Sequence, residues 1–264
     1  MKSLSSYIMA GVQTSLEWDG HFHAFSHRGV NKMSNAERRV GFADIELDCL
    51  DQYKDIPGMY DRMMPKCKGI GAWLATALKI EDIKEIYKRH PNDIVGFGEL
   101  KLYDKFKGKP VNFKKISFAR EVCKFSEECG NLPVYIHYEL IEPQHVRAVD
   151  KLLRDFPDVP IVLCHLGMNQ SNHDFAFNAA KMLASEHGNC WLDISWDAAD
   201  YLSNNPLLIT QLPQDRIFWG SDTSPRLVAH DFKSASPENI EDWKNAVNPY
   251  MNSDRNIRRL FAIT

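Results

Sequence analysis

Six residues at the ends of apolar runs carry side chains suited to chemistry: His21, His23, Glu99, His137, His165 and Asp222. His21 and His23 are two residues apart, so in an extended strand both project from one side. Lys101 shares a side with Glu99 for the same reason. Four imidazoles and a carboxylate brought to one place would make a site for a borderline divalent metal. Imidazole suits zinc, iron and nickel, and a carboxylate adds a hard ligand. A lone strand-end histidine is more often a hydrogen-bonded structural residue, and a lone H-x-H is weak evidence. The joint pattern across several runs carries more. The remaining histidines fall on expected loops and helices, with His173 a candidate for the rim of the site.

For these residues to meet, their runs must lie side by side. Eight short runs rich in apolar and β-branched residues have centres near 20, 45, 71, 97, 136, 163, 193 and 219. Each has strand length, and several are continuously apolar, as strands covered on both faces are. Helical patterns lie between them, at 81–90, 113–129, 143–156 and 175–187. Gly130 and Gly188 are suited to stopping the second and fourth. Between the second and third runs the helical period is fragmentary. Eight strands alternating with helices at near-constant spacing predict an α/β fold, a (β/α)8 TIM barrel, as one domain over residues 1–264. In such a barrel, functional groups sit at the C-terminal ends of strands. The competing doubly wound sheet would show a Gly-rich turn after its first strand, whereas HFHAFSHRG follows here, and no phosphate-binding motif appears. After the fourth run a longer basic loop, KLYDKFKGKPVNFKK, falls at the expected mouth.

Composition is that of a globular protein, with 44% hydrophobic and 25% charged residues. The formal net charge of −3 argues against a dedicated nucleic-acid binder. No apolar run has the roughly 18 residues of a membrane helix, and the N-terminus is a poor secretory signal. The six cysteines form no C-x-x-C pair, which points to a reducing cytoplasm. The expected partner is a small-molecule substrate. An anionic one would suit the lysines at 105, 107 and 109. A homo-oligomer is left open.

The series D-G-H-F-H (19–23), Y-I-H (135–137), L-C-H-L-G (163–167), W-G-S-D (219–222) and N-x-x-R-L-F (256–261) resembles the amidohydrolase superfamily. The tail resembles its amidohydrolase-related branch, which includes aminocarboxymuconate-semialdehyde decarboxylase. That resemblance implies a mononuclear divalent metal, most simply zinc, held by His21, His23, His137 and Asp222. It implies His165 beside the metal's water as a base or substrate polariser, and Asp222 also as the acceptor of the water's proton. The fourth run, FGELKLY, resembles instead the G-E-I-G-L-D-Y segment of TatD-type nucleases, whose glutamate bridges two metals. Glu99 is thus a further metal candidate, bridging two ions, or the partner of Lys101 in a mononuclear site; a carboxylated Lys101 is a third option, and a buried ion pair with Lys101 or a link to the neighbouring strand is the purely structural role. Arg226 and Arg28 are candidate carboxylate clamps. Trp196 is a candidate apolar wall, and Lys101 a further substrate-binding candidate. The expected function is metal-dependent hydrolysis of an ester, lactone or amide, or the related non-oxidative decarboxylation. The alternatives are a TatD-like two-metal phosphodiesterase and a catalytically silent metal-binding barrel.

Overall fold

The computed structural model describes residues 19–25, 41–45, 55–66, 72–102, 105–106, 109–110, 116–168, 172–220, 222 and 237–261. In 19–25, 41–45, 105–106, 109–110 and 237–240, and at positions 63, 66 and 72, it describes the backbone alone. Eight parallel strands follow one another in chain order: β1 (Asp19–Phe25), β2 (Gly41–Ile45), β3 (Ala72–Ala75), β4 (Ile94–Lys101), β5 (Val134–His137), β6 (Ile161–Leu163), β7 (Cys190–Ile194) and β8 (Ile217–Trp219). The first and last strands approach to within 8 Å, Cα to Cα. The fold is an α/β barrel of the TIM type, with a strand at each of the eight expected runs.

The helices are α1 (Ile56–Met63), α2 (Ile80–Arg89), α3 (Ile116–Glu128), α4 (Pro143–Asp155), α5 (His173–Glu186), α6 (Trp196–Ser203), α7 (Pro237–Val247) and α8 (Ser253–Leu260). The four expected helices are present, with ends shifted by up to three residues. The fragmentary second unit also holds a helix, α1. Asp55 caps it, its carboxylate accepting from the Gly58 amide at 2.9 Å. Within the long basic loop, Lys105–Phe106 and Lys109–Pro110 pair as a short antiparallel ribbon. No helix among the described residues is long and apolar enough to cross a membrane.

Alternation along the strands sorts the side chains into two cores. Trp73, Val134, Ile136, Ile161, Leu192 and Ile217 pack outward beneath the helices. Leu74, Val95, Tyr135, Val162, Trp191 and Phe218 form a separate inner cluster with Ile257, Leu260 and Phe261 of the tail. The tail motif is therefore the floor of the barrel. Tyr135 stacks on Phe261 with ring centroids 6.4 Å apart. Asn256, buried on the inner face of the tail helix, donates through Nδ2 to the carbonyls of Gln214 (2.8 Å) and Ile217 (2.7 Å). Those bonds join α8 to the entry of β8.

Asn256→Ala removes both bonds and leaves two carbonyls near the floor without this donor. Such a loss costs about 2 kcal/mol. Urea unfolding should show that loss at an unchanged m-value. A change below about 0.5 kcal/mol, the size of an ordinary surface substitution, would mean that the motif is held by Leu260 and Phe261 alone.

Candidate metal centre at the strand ends

Two residues above the apolar floor, the inner face turns polar. Tyr135 is followed at that spacing by His137, Trp191 by Asp193, and Leu74 by Thr76. On β4 the pairing register slips against both neighbours, and Glu99 and Lys101 come to the interior. Lys101 stands directly across from His137 on β5. Gly98, at φ +121°, lies so close to β5 that a Cβ there would sit 2.4 Å from the Tyr135 carbonyl oxygen. Only glycine allows the strands to approach this closely beside Glu99.

Glu99 is the hub, 1% exposed. Its Oε1 accepts from His137 Nδ1 at 2.8 Å and lies 3.2 Å from His165 Nε2. Its Oε2 is 3.8 Å from Lys101 Nζ. Burial by itself would raise the carboxyl's pKa. The charges of His137 and Lys101 and the two histidine bonds outweigh it and hold Glu99 well below the usual carboxylate range. His165 Nε2 is also 3.8 Å from Asp222 Oδ2. Burial disfavours the imidazolium here, yet the carboxylates of Asp222, Glu99 and Asp193 raise its pKa overall. Asp197, at the start of α6, is held above its ordinary value by burial, against the attraction of His165, His173 and His137.

Three of the turns that follow the strands use left-handed backbone. His165 (φ 53°) and Leu166 (φ 55°) follow β6, Trp196 (φ 43°) follows β7 and Asp222 (φ 48°) follows β8. Each costs a non-glycine residue of the order of 1–3 kcal/mol, and such residues cluster at functional sites. Behind the site, Tyr60 on α1 donates to the Leu74 carbonyl at 2.7 Å and accepts from the Thr76 amide at 2.9 Å. Thr76 Oγ1 then donates to the Glu99 carbonyl at 3.0 Å.

The sequence-predicted residues Glu99, Lys101, His137, His165 and Asp222 thus come together. Glu99 makes both links considered for it, to Lys101 and to the neighbouring strand. His21 and His23 lie on β1, next in the barrel to β8, but their side chains fall outside the described residues. So do Arg28 and Arg226. Trp196 opens α6, half-buried. Sequence reasoning missed Ser195, Asp193 and Thr76. Only their period-two spacing along inward-facing strands could have flagged them.

Ligand atoms of Glu99, His137 and His165 all lie within 4.8 Å of one another. One carboxylate and two imidazoles are a donor set suited to a divalent ion of zinc's type. The residues present fit such an ion.

The sequence profile described as amidohydrolase matches residues 32–254, and the chain belongs to that family. The match begins after His21 and His23. No curated protein matches the chain by sequence. Among solved structures, the fold is similar to a zinc-bound amidohydrolase from Burkholderia multivorans (TM-score 0.60, 12% identity, covering 95% of this chain and 100% of that one). It is also similar to a TatD-family hydrolase from Entamoeba histolytica (0.57, 11%, 94% and 96%). A third is dihydroorotase from Campylobacter jejuni (0.53, 15%, 94% and 84%). At these identities the likeness is one of fold.

Lys101→Met keeps the length of the side chain and removes the ammonium beside Glu99. Breaking a buried pair by deleting one partner costs about 3 kcal/mol. Denaturant titration of the variant should show a loss of that size. An unchanged midpoint would mean that the histidines alone compensate the Glu99 charge.

Proposed function

We propose that this amidohydrolase is a metal-dependent hydrolase of a small-molecule ester, lactone or amide, working with one divalent ion, zinc. The observation that carries the reading is the convergence of Glu99 and His137, from β4 and β5, with His165 and Asp222, from the turns after β6 and β8, above the apolar floor of the barrel. His137, His165, Glu99 and Asp222 would hold the ion, with His21 and His23 added from β1. Bound there, it supplies Lewis acidity and lowers the pKa of water toward about 7. Asp222 accepts the proton of the attacking water at a carboxylate oxygen. His165 presents Nε2 to the same space, between Glu99 and Asp222, as a ligand to the ion, and Asp222 passes the proton on to the leaving group. Lys101 keeps Glu99 ionised while this happens. Arg28 and Arg226 remain our candidates for gripping a substrate carboxylate, and Trp196 for an apolar wall. Non-oxidative decarboxylation is the variant of the same chemistry that needs such a grip most. We place the enzyme in the cytoplasm, where free thiols such as Cys123 and Cys190 stay reduced.

A second reading has one specific observation in its favour. Glu99 Oε1 lies within hydrogen-bonding distance of two histidines from different strands, a position from which a carboxylate could bridge two ions, as in a phosphodiesterase. Two-metal sites hold their ions roughly 3.5–4 Å apart.

Elemental analysis with a hydrolysis panel tests both readings. One equivalent of zinc and turnover of ester, lactone or amide substrates, lost on chelation and restored by zinc, is the expected result. Two equivalents falling to one in Glu99→Gln, with phosphodiesterase activity, would overturn it. No retained metal and no turnover would favour a silent barrel.

Asp222→Asn keeps the shape and cannot take a proton. Its turnover should fall at least a hundredfold, the scale of a lost general base, with the far-UV spectrum unchanged. Activity within a few-fold of the parent would remove Asp222 from that role.

A further inference from the structure

Behind His165, on the side away from Glu99, lies a second set of buried polar groups that the proposed reaction does not use. His165 Nδ1 is 2.8 Å from Ser195 Oγ, and Ser195 Oγ donates to Asp193 Oδ2 at 2.7 Å. His165 is 3% exposed, and Ser195 and Asp193 are 0% exposed. A serine and a histidine at this distance resemble an activated nucleophile. The direction of the bonds and the burial argue otherwise. A hydroxyl has one proton, and a carboxylate can only accept. With that proton given to Asp193, Ser195 Oγ must receive one from His165 Nδ1. A hydroxyl sealed from solvent and bonded on both sides has no route to a substrate.

We propose that Ser195 and Asp193 are positioning residues that keep a proton on Nδ1 of His165, so that Nε2 alone is the atom His165 offers to Glu99, Asp222 and any bound ion. The second ring nitrogen of a functional histidine commonly sets which tautomer is present and how the ring is turned. Here the partner is a carboxylate one residue-pair down the same strand, reached through a hydroxyl. Spacing supports this. Asp193 and Ser195 are two residues apart on β7 and its exit, so both side chains meet the interior beneath the turn where His165 is held at φ 53°. The backbone fixes where the ring starts, and the Ser195–Asp193 pair fixes how it is rotated.

The proposal deepens the metal-hydrolase reading but can fail separately from it, because its first test needs neither metal nor substrate. In metal-free protein labelled with 15N-histidine, the His165 signals are assigned by their loss in His165→Gln. The expected wild-type result is a proton on Nδ1 in slow exchange. Ser195→Ala, nearly isosteric, should abolish that protected signal, and Ser195→Thr should retain it. Asp193→Asn can donate to the serine and reverse the chain, so the Nδ1 proton should disappear there too. Zinc affinity, measured by competition with a chelator, should fall about tenfold to hundredfold in Ser195→Ala and recover in Ser195→Thr. An unprotonated or freely exchanging Nδ1 in the wild-type protein would overturn the proposal, even if the variants fail to fold. So would a Ser195→Ala protein with an unchanged Nδ1 signal and zinc affinity within twofold of the parent, the outcome expected if Ser195 only fills space.

Discussion

The charge on Glu99 sets the terms for the upper half of the barrel. Moving a carboxylate out of water costs several kcal/mol even after the protein relaxes. That cost is offset only where cations and donors are held close. His137 and Lys101 supply them from opposed positions on β5 and β4, and His165 adds a third from the turn after β6. Each compensating group is therefore constrained in turn. The strands must be close, hence Gly98. The Glu99 backbone must be braced, hence Thr76 and Tyr60.

The polar cluster is tolerated because the floor beneath it is apolar and firmly packed. Aromatic rings from β5, β7 and β8 close on Leu260 and Phe261, so the charged layer rests on a solid base and opens toward the loops. Low dielectric strengthens every interaction among the charged groups above it. The same floor requires that the tail helix be tied down, which Asn256 does by occupying carbonyls at the start of β8.

Much of this was legible from residue order. Strand positions could be read because doubly covered strands are continuously apolar, and the helices because their buried faces repeat every three to four residues. His137, His165, Glu99 and Asp222 stood out as polar residues ending apolar runs. What escaped notice lacked a local signal. Ser195 and Asp193 look like ordinary strand polars until the barrel brings β6 and β7 together. The left-handed backbone falls on His165, Leu166, Trp196 and Asp222 themselves, and only Gly167, at φ +65° after the first pair, announces it as glycines usually do. Helix α1 was faint because its sequence, IPGMYDRM, mixes a proline and a glycine into two turns. It forms through the Asp55 cap and through burial of Tyr60.

The place of α8 has a consequence for how the molecule comes into being. A ribosome delivers this helix after all eight strands have emerged, yet Phe261 is the ring that stacks on Tyr135 of β5. Without that segment, Tyr135, Trp191 and Phe218 lack the side chains of Ile257, Leu260 and Phe261 that cover them. The floor is thus complete only once α8 has docked. The strand ends that carry Glu99 and His137 gain their support at the same moment, so a chain caught before that point would present histidines and carboxylates on a scaffold still able to shift.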